Sequence, residues 1–146
     1  MMTDRLDRER AALLKRDFKQ GFTEYCGFEV EDMQWGKAES SLKVESHHRQ
    51  QDGFVHAGVM ATMADHTAGY AGFTTVDDNR RVLTVEFKIN FLRPASGPRL
   101  ICRSQVIRDG RNIIVVEAEV YDARGNGLVL CAKAMMTQMA VELSKG

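Results

Sequence analysis

The sequence has no surplus charge of either sign: 20 Lys and Arg balance 20 Asp and Glu. Such a chain makes no global electrostatic case for binding nucleic acid or an anionic membrane. Cysteine is scarce. Cys26, Cys102 and Cys131 are scattered, without CxxC or Cys/His spacing, and read as core or neutral thiols in a reducing compartment. The opening, MMTDRLDRERAALLKRD, lacks the apolar run of a leader, so neither a secretory signal nor an anchor is expected, and the cytoplasm is. Internal repeats, low-complexity tracts and linkers are also missing. Residues 1–146 are therefore read as one domain, with residues 1–26 an N-terminal helix and residues 27–140 the core.

One long apolar stretch is present, and the chain is organised around it. From His48 to Val76 the sequence reads HRQQDGFVHAGVMATMADHTAGYAGFTTV. A polar loop ending in Gly53 leads into a run of Ala, Gly, Met and Thr with no Lys or Arg between Phe54 and Val76. The run contains Asp65, His66, several Thr and three Gly but neither Leu nor Ile, which argues against a membrane span. A surface helix carries charge on its outer face. This one is expected to be buried on nearly all sides, with Asp65 in its middle. A buried carboxylate is costly unless paired, hydrogen-bonded or protonated. Asp65 is thus either a structural anchor or a chemical group.

Around this stretch the periodicities are clear. Leu14, Phe18, Phe22 and Tyr25 fall on one stripe and predict an amphipathic helix over Asp4–Tyr25, ended by Gly27. Phe28–Gln34 and Lys37–Glu45 predict a hairpin turning at Trp35-Gly36. After a polar connection at Asp77–Arg81, Leu83, Val85, Phe87, Ile89 and Phe91 alternate with Thr84, Glu86, Lys88 and Asn90, the clearest strand of the chain. Leu100–Arg108 and Ile113–Asp122 follow, joined by Asp109-Gly110, read as a two-residue hairpin turn. A last strand, Leu128–Gln138, comes after Arg124-Gly125-Asn126-Gly127. The class is α+β, a curved antiparallel sheet wrapped around a long central helix. One sheet cannot enclose a helix completely, so a second copy is expected to cover the remainder.

From Gly27 to about Met139 the chain resembles the hot-dog-fold acyl-CoA thioesterases of the phenylacetate-pathway (PaaI-like) type. The resemblance rests on Gln50-x-x-Gly53-x-x-His56-Ala57-Gly58, on Asp65 nine residues after His56, and on Thr84-Val85-Glu86-Phe87-Lys88-Ile89-Asn90-Phe91-Leu92-Arg93-Pro94-Ala95. It implies a hot-dog fold and hydrolysis of an acyl-CoA to free acid and CoA. By that likeness Asp65 is the general base on water or the nucleophile that forms an anhydride. The Ala57 amide, where the family usually has Gly, polarises the carbonyl. Gln50, where the family usually has Asn, orients water or contacts the thioester. His56 positions the carbonyl or braces the loop, and Thr84 assists the carboxylate.

The residues support the same chemistry. The start of a helix offers free N–H groups and a positive dipole end. Ala57 and Asp65 are eight residues apart, about 12 Å along a helix, too far to serve one carbonyl within one chain. Two antiparallel copies of the helix would bring them together, so a homodimer is expected, assembling to a homotetramer as the resemblance implies. Gly58, Met60 and Arg93 are candidate substrate contacts; Met63 is a candidate for core or pocket, and Arg80, Arg81, Arg108 and Arg111 are candidates for CoA phosphates or solvated surface. Asp65 and His66 point about 100° apart on a helix, and His47 and His48 precede a Gly turn, so no metal or other cofactor is expected. Two alternatives share the fold. A 3-hydroxyacyl dehydratase would need a Phe-Pro-Gly-His-Pro-like loop, but Gly53-Phe54-Val55-His56-Ala57 has no Pro. A non-catalytic acyl-CoA-binding protein usually carries a DNA-binding domain, for which the segment before Phe28 is short.

Overall fold

The computed structural model describes residues 6–143. Two short helices, α1 (Arg8–Phe18) and α2 (Gly21–Cys26), precede the hairpin β1 (Glu29–Gln34) and β2 (Lys37–Lys43). A 3-10 turn at Ser46–His48 leads to the central helix α3 (Ala57–Phe73). Strands β3 (Arg80–Phe91), β4 (Arg99–Asp109), β5 (Ile113–Arg124) and β6 (Gly127–Glu142) complete the chain. All six strands form one antiparallel sheet in the order β1-β2-β4-β5-β6-β3, with α3 packed across its inner face.

The composition of α3 explains how closely the sheet approaches it. Met63, Ala64, Ala68 and Ala71 are fully buried and meet a sheet face that includes Leu42, Leu100, Val116, Val120 and Met136. Small side chains let strand backbones come near, and several buried hydroxyls there pair with backbone or with one another, whereas the buried Gln138 amide has no hydrogen-bond partner among the described residues. Ser104 Oγ donates to the Thr67 carbonyl at 3.1 Å, and the Ser40 and Thr67 hydroxyls lie 2.6 Å apart. Thr74 Oγ1 accepts the Gly36 N–H at 2.7 Å, which ties the end of α3 to the first hairpin.

Three of the expectations are corrected. The single helix over Asp4–Tyr25 is two helices; residues 4 and 5 lie outside the described residues. Gln20 is extended and Gly21 has φ +53°, a conformation that suits glycine, and the chain changes direction there. Leu14 and Phe18 keep the buried stripe, whereas Phe22 and Tyr25 are turned outward, 66% and 81% exposed.

In β3 the register shifts between Thr84 and Glu86, leaving Val85 as a bulge. Leu83, opposite Met139, is therefore on the outer face. Phe87 and Ile89, opposite Met136 and Ala134, are on the inner one. A perfect alternation in sequence conceals such an inserted residue. Asp109-Gly110 is not a two-residue turn either. Strand β4 ends at Asp109 and β5 starts at Ile113, with a register shift between Val106 and Arg108. As expected of one sheet, α3 is left uncovered on one side within the single chain. Its buried side chains face the sheet and α1, while Ala57 and Gly58 are exposed and Asp65 is half-buried.

Helix α1 also secures the central helix. The Arg10 guanidinium donates to the carbonyls of Phe73 at 2.8 Å and Val76 at 2.9 Å, closing the C-terminal end of α3. A cation at that end also meets the negative pole of the helix. Hydrogen bonds from a charged donor contribute about 1.5–3 kcal/mol. Arg10→Met is expected to lower the unfolding free energy in urea by about 2 kcal/mol. A loss under about 0.5 kcal/mol, the size of an ordinary surface change, would show that Arg10 does not hold the helix.

Candidate active site

The loop before α3 is built to aim the helix start. His48 is buried; its Nδ1 accepts the Glu45 N–H at 2.9 Å and its Nε2 lies 2.6 Å from the Cys26 carbonyl. A tight turn follows, with Gly53 N–H donating to the Gln50 carbonyl at 3.0 Å and Gly53 at φ +89°. The Gln50 side-chain oxygen accepts the Asp52 N–H, so this amide is partly committed to its own loop. Val55 N–H donates to the Ala95 carbonyl, and His56 N–H to the His48 carbonyl, both at 2.9 Å. The Ala95 segment is fixed in turn by buried Asp122, which accepts the N–H groups of Ser96 and Gly97 and pairs with Arg124 at 2.5 Å.

His56 is the N-cap of α3, and its Nδ1 accepts the Gly58 N–H at 2.8 Å. With Nδ1 accepting, a neutral His56 carries its proton on Nε2. The Ala57 N–H has no acceptor among the described residues. Ala57 lines a cleft of about 450 Å³ together with Gln50, His56, Met60, Phe91 and Arg93, among others. Gly58 itself is exposed at the helix start, with its N–H taken by His56.

Asp65 faces elsewhere. It is the one carboxylate of α3, on the helix's uncovered side, and its Oδ1 accepts the Thr84 hydroxyl at 2.7 Å. The bulge at Val85 makes this contact possible. Thr84 sits on the inner face before it, and Phe87 on the inner face after it. Asp65 lies in a second recess of about 260 Å³ with Phe22, Thr23, Ala61, Thr62, His66 and Phe87. Within one chain, then, the expected residues form two groups: Gln50, His56, Ala57, Met60 and Arg93 at one recess, Asp65 and Thr84 at the other.

Other candidate residues are engaged with the protein itself. Met63 is fully buried, and Met60 is buried while forming part of the cleft wall. Arg80 donates to the carbonyls of Arg111 and Ala140, and Arg81 pairs with Asp17 and lies over the Phe73 ring. His66 packs between Phe18 and Tyr70, with Nε2 2.7 Å from the Phe18 carbonyl. Burial lowers its pKa, against the smaller opposing pull of that carbonyl and of Asp65 and Asp17. Phe22 and Phe87 both fit apolar periods that predict burial, and their place beside Asp65 has no signal in the sequence.

Residues 52–129 match the family model described as Thioesterase superfamily, a span that holds His56, Ala57, Asp65 and Thr84 but not Gln50. A thioesterase family protein of known structure from Silicibacter pomeroyi is 34% identical, with a TM-score of 0.86 over 90% of this chain and 98% of that one. A protein described as phenylacetic acid degradation-related, from Ralstonia eutropha, is 26% identical, with a TM-score of 0.71 over 80% of this chain and 86% of that one. The 1,4-dihydroxy-2-naphthoyl-CoA hydrolase of Listeria monocytogenes is 26% identical over 102 residues, covering 70% of this chain and 83% of the relative. These likenesses bear out the hot-dog thioesterase resemblance. Among the described residues no helix is long and apolar enough to cross a membrane.

The environment of His66 sets a pH dependence of stability. Its folded pKa is lowered, so on acidification the unfolded chain takes up the proton first. Stability from this group is present above the unfolded value, about 6.5, and declines as pH falls toward the folded one. Urea midpoints of the wild type are expected to drop between about pH 7 and pH 5, and those of His66→Gln to drop less. Parallel curves for the two proteins would remove His66 as the cause.

Proposed function

The chain belongs to the thioesterase superfamily, and from that premise we propose that it hydrolyses acyl-CoA to free acid and CoA, with Asp65 as general base or nucleophile. The observation that carries the proposal is the setting of Asp65: the sole carboxylate of an otherwise uncharged helix, held by Thr84 at 2.7 Å, on the side that the sheet leaves open. One oxygen is fixed by the hydroxyl, and the other has no hydrogen-bond donor among the described residues. A carboxylate oriented in this way suits either proton abstraction from water or direct attack on a thioester carbon. The CoA-hydrolase activity named for the Listeria relative supports CoA as the carrier.

The oxyanion donor in this reading is the Ala57 N–H, at the positive end of α3 and without an acceptor among the described residues. His56 holds the Gly58 amide through Nδ1 and keeps its Nε2–H for the substrate. Gln50 and Arg93, on the same cleft, serve the thioester and the CoA portion. Because Ala57 and Asp65 lie at separate recesses, a working centre combines Ala57 of one copy with Asp65 of another. Two α3 helices running antiparallel across a homodimer achieve this, and pairs of dimers form the tetramer.

The first test is thiol release from a panel of acyl-CoAs by wild type and Asp65→Asn. Asn keeps the size and removes the base. A loss of at least about a hundredfold is expected, the usual contribution of general-base catalysis; equal activity would make Asp65 structural.

The shared centre has its own test. His56 is extended, at φ −61° and ψ 136°, so Ala57→Pro is sterically acceptable at the first helical position. It deletes the proposed oxyanion donor and is expected to cost about 100- to 1,000-fold in kcat. Co-expressed Ala57→Pro and Asp65→Asn chains are expected to regain about a quarter of wild-type activity, because half the dimers are mixed and each mixed dimer keeps one intact centre. No recovery in such mixed dimers would place both groups in one chain.

A further inference from the structure

We infer that α2 is the wall of the acyl site and that Phe22, facing Phe87 across the Asp65 recess, sets the preference for the apolar bulk of the acyl group. This assignment rests on the thioesterase reading for the chemistry, but not for the binding.

The argument starts from what α2 lacks. It is six residues long and buries none of its side chains, yet it carries Phe22 and Tyr25. An aromatic ring held in water on a short helix loses the burial that favours its presence. Phe22 nevertheless has a defined neighbourhood. It lines a recess with Phe87 and Ala61 on apolar sides and with Asp65 within the same walls. Phe87 reaches that position because the bulge at Val85 puts it on the inner face, and it remains 38% exposed there. The two rings thus line one recess with a carboxylate, and neither belongs to the buried core.

The wall is held in register with that carboxylate. Gly21 at φ +53° and Gly27 at φ +92° bound α2 and fix its direction. Thr23 Oγ1 donates to the Phe18 carbonyl at 3.1 Å, and His66 Nε2 lies 2.7 Å from the same oxygen. His66 directly follows Asp65 in α3, so α2 and the carboxylate are anchored through one shared acceptor.

Size decides the occupant. The recess, about 260 Å³, is smaller than the roughly 300–1,000 Å³ of a site for a drug-sized molecule. A recess of that size in one chain suits an acyl group of modest length rather than the CoA portion. The larger cleft at Ala57, with Gln50 and Arg93, is left for the carrier. Tyr25, on the same helix and more exposed, does not line the recess and serves as the control.

The test uses non-hydrolysable thioethers, S-methyl-CoA and S-hexyl-CoA, titrated calorimetrically into full-length wild type, Phe22→Ala, Phe22→Leu and Tyr25→Ala. Wild type is expected to bind S-hexyl-CoA at least about tenfold more tightly than S-methyl-CoA, from the burial of the added methylenes. Phe22→Ala is expected to lose most of that preference, Phe22→Leu part of it, and Tyr25→Ala none. Affinity for S-methyl-CoA stays within about twofold throughout, as for a surface change remote from the carrier. A wild type without the preference, or a Phe22→Ala that retains it, overturns the inference. So does a Phe22→Ala that changes only the oligomeric state on gel filtration, which would make this surface an interface between copies. Preference dependent on Phe22 in a protein that releases no thiol from hexanoyl-CoA upholds the wall and overturns the hydrolytic reading instead.

Discussion

The close approach of the sheet to α3 is the constraint on which the rest depends. It requires a helix whose packed side chains are small and uncharged, and Ala64, Ala68, Ala71 and Gly72 meet that requirement with almost no exposed surface. Such a helix cannot also be amphipathic in the ordinary sense. Where the sheet ends at β3, α3 has no charged face to present to water, only Ala61, Thr62, Asp65 and Gly69. The uncovered strip is therefore a direct result of the packing on the other side. It is also where one carboxylate sits beside two aromatic rings. The geometry that completes the core and the geometry that exposes Asp65 are one arrangement.

The ends of α3 are secured by unrelated means, and this matters for the chemistry. At the C-terminal end Arg10 and Thr74 tie the helix to α1 and to the first hairpin. At the N-terminal end there is no such clamp. His56 caps one amide and leaves that of Ala57 open, while Asp122 and the Ala95 segment fix the loop from behind. A helix tightly fixed at its far end and supported behind its near end can present a free N–H without fraying. Oxyanion stabilisation requires that kind of preorganisation, since a donor that must reorganise forfeits its advantage.

Much of the fold was legible because its signals are local. Alternation located the strands, the Trp35-Gly36 turn fixed the first hairpin, and the uncharged run fixed α3. Two of the errors share one physical cause: a single residue that changes direction or register leaves periodicity intact on both sides. Val85 does so in β3 and Gly21 does so between α1 and α2. In the first case five alternating apolar residues, Leu83 to Phe91, are divided between two faces. In the second, a stripe of four is divided between core and solvent. Arg124-Gly125-Asn126-Gly127, by contrast, read correctly. Its two-residue turn puts Gly125 at φ +53°, as hairpin twist demands.

Of the candidate site, Asp65 was legible as a residue needing explanation, since a lone carboxylate in an uncharged helix is conspicuous by composition alone. The Thr84 contact was legible only through resemblance, because it depends on a bulge between strand positions that look equivalent. Phe22 and Phe87 were not legible as site residues at all. Each fits an apolar period well, and an apolar period predicts burial against protein. A recess wall also needs apolar residues, but leaves them with no protein partner. Sequence pattern records how much a position dislikes water and is silent on what will cover it. At Phe22 and Phe87 the described chain provides no cover beyond their shared recess. The same two departures from regularity that defeated the periodic reading, at Gly21 and Val85, are the ones that bring both rings to Asp65.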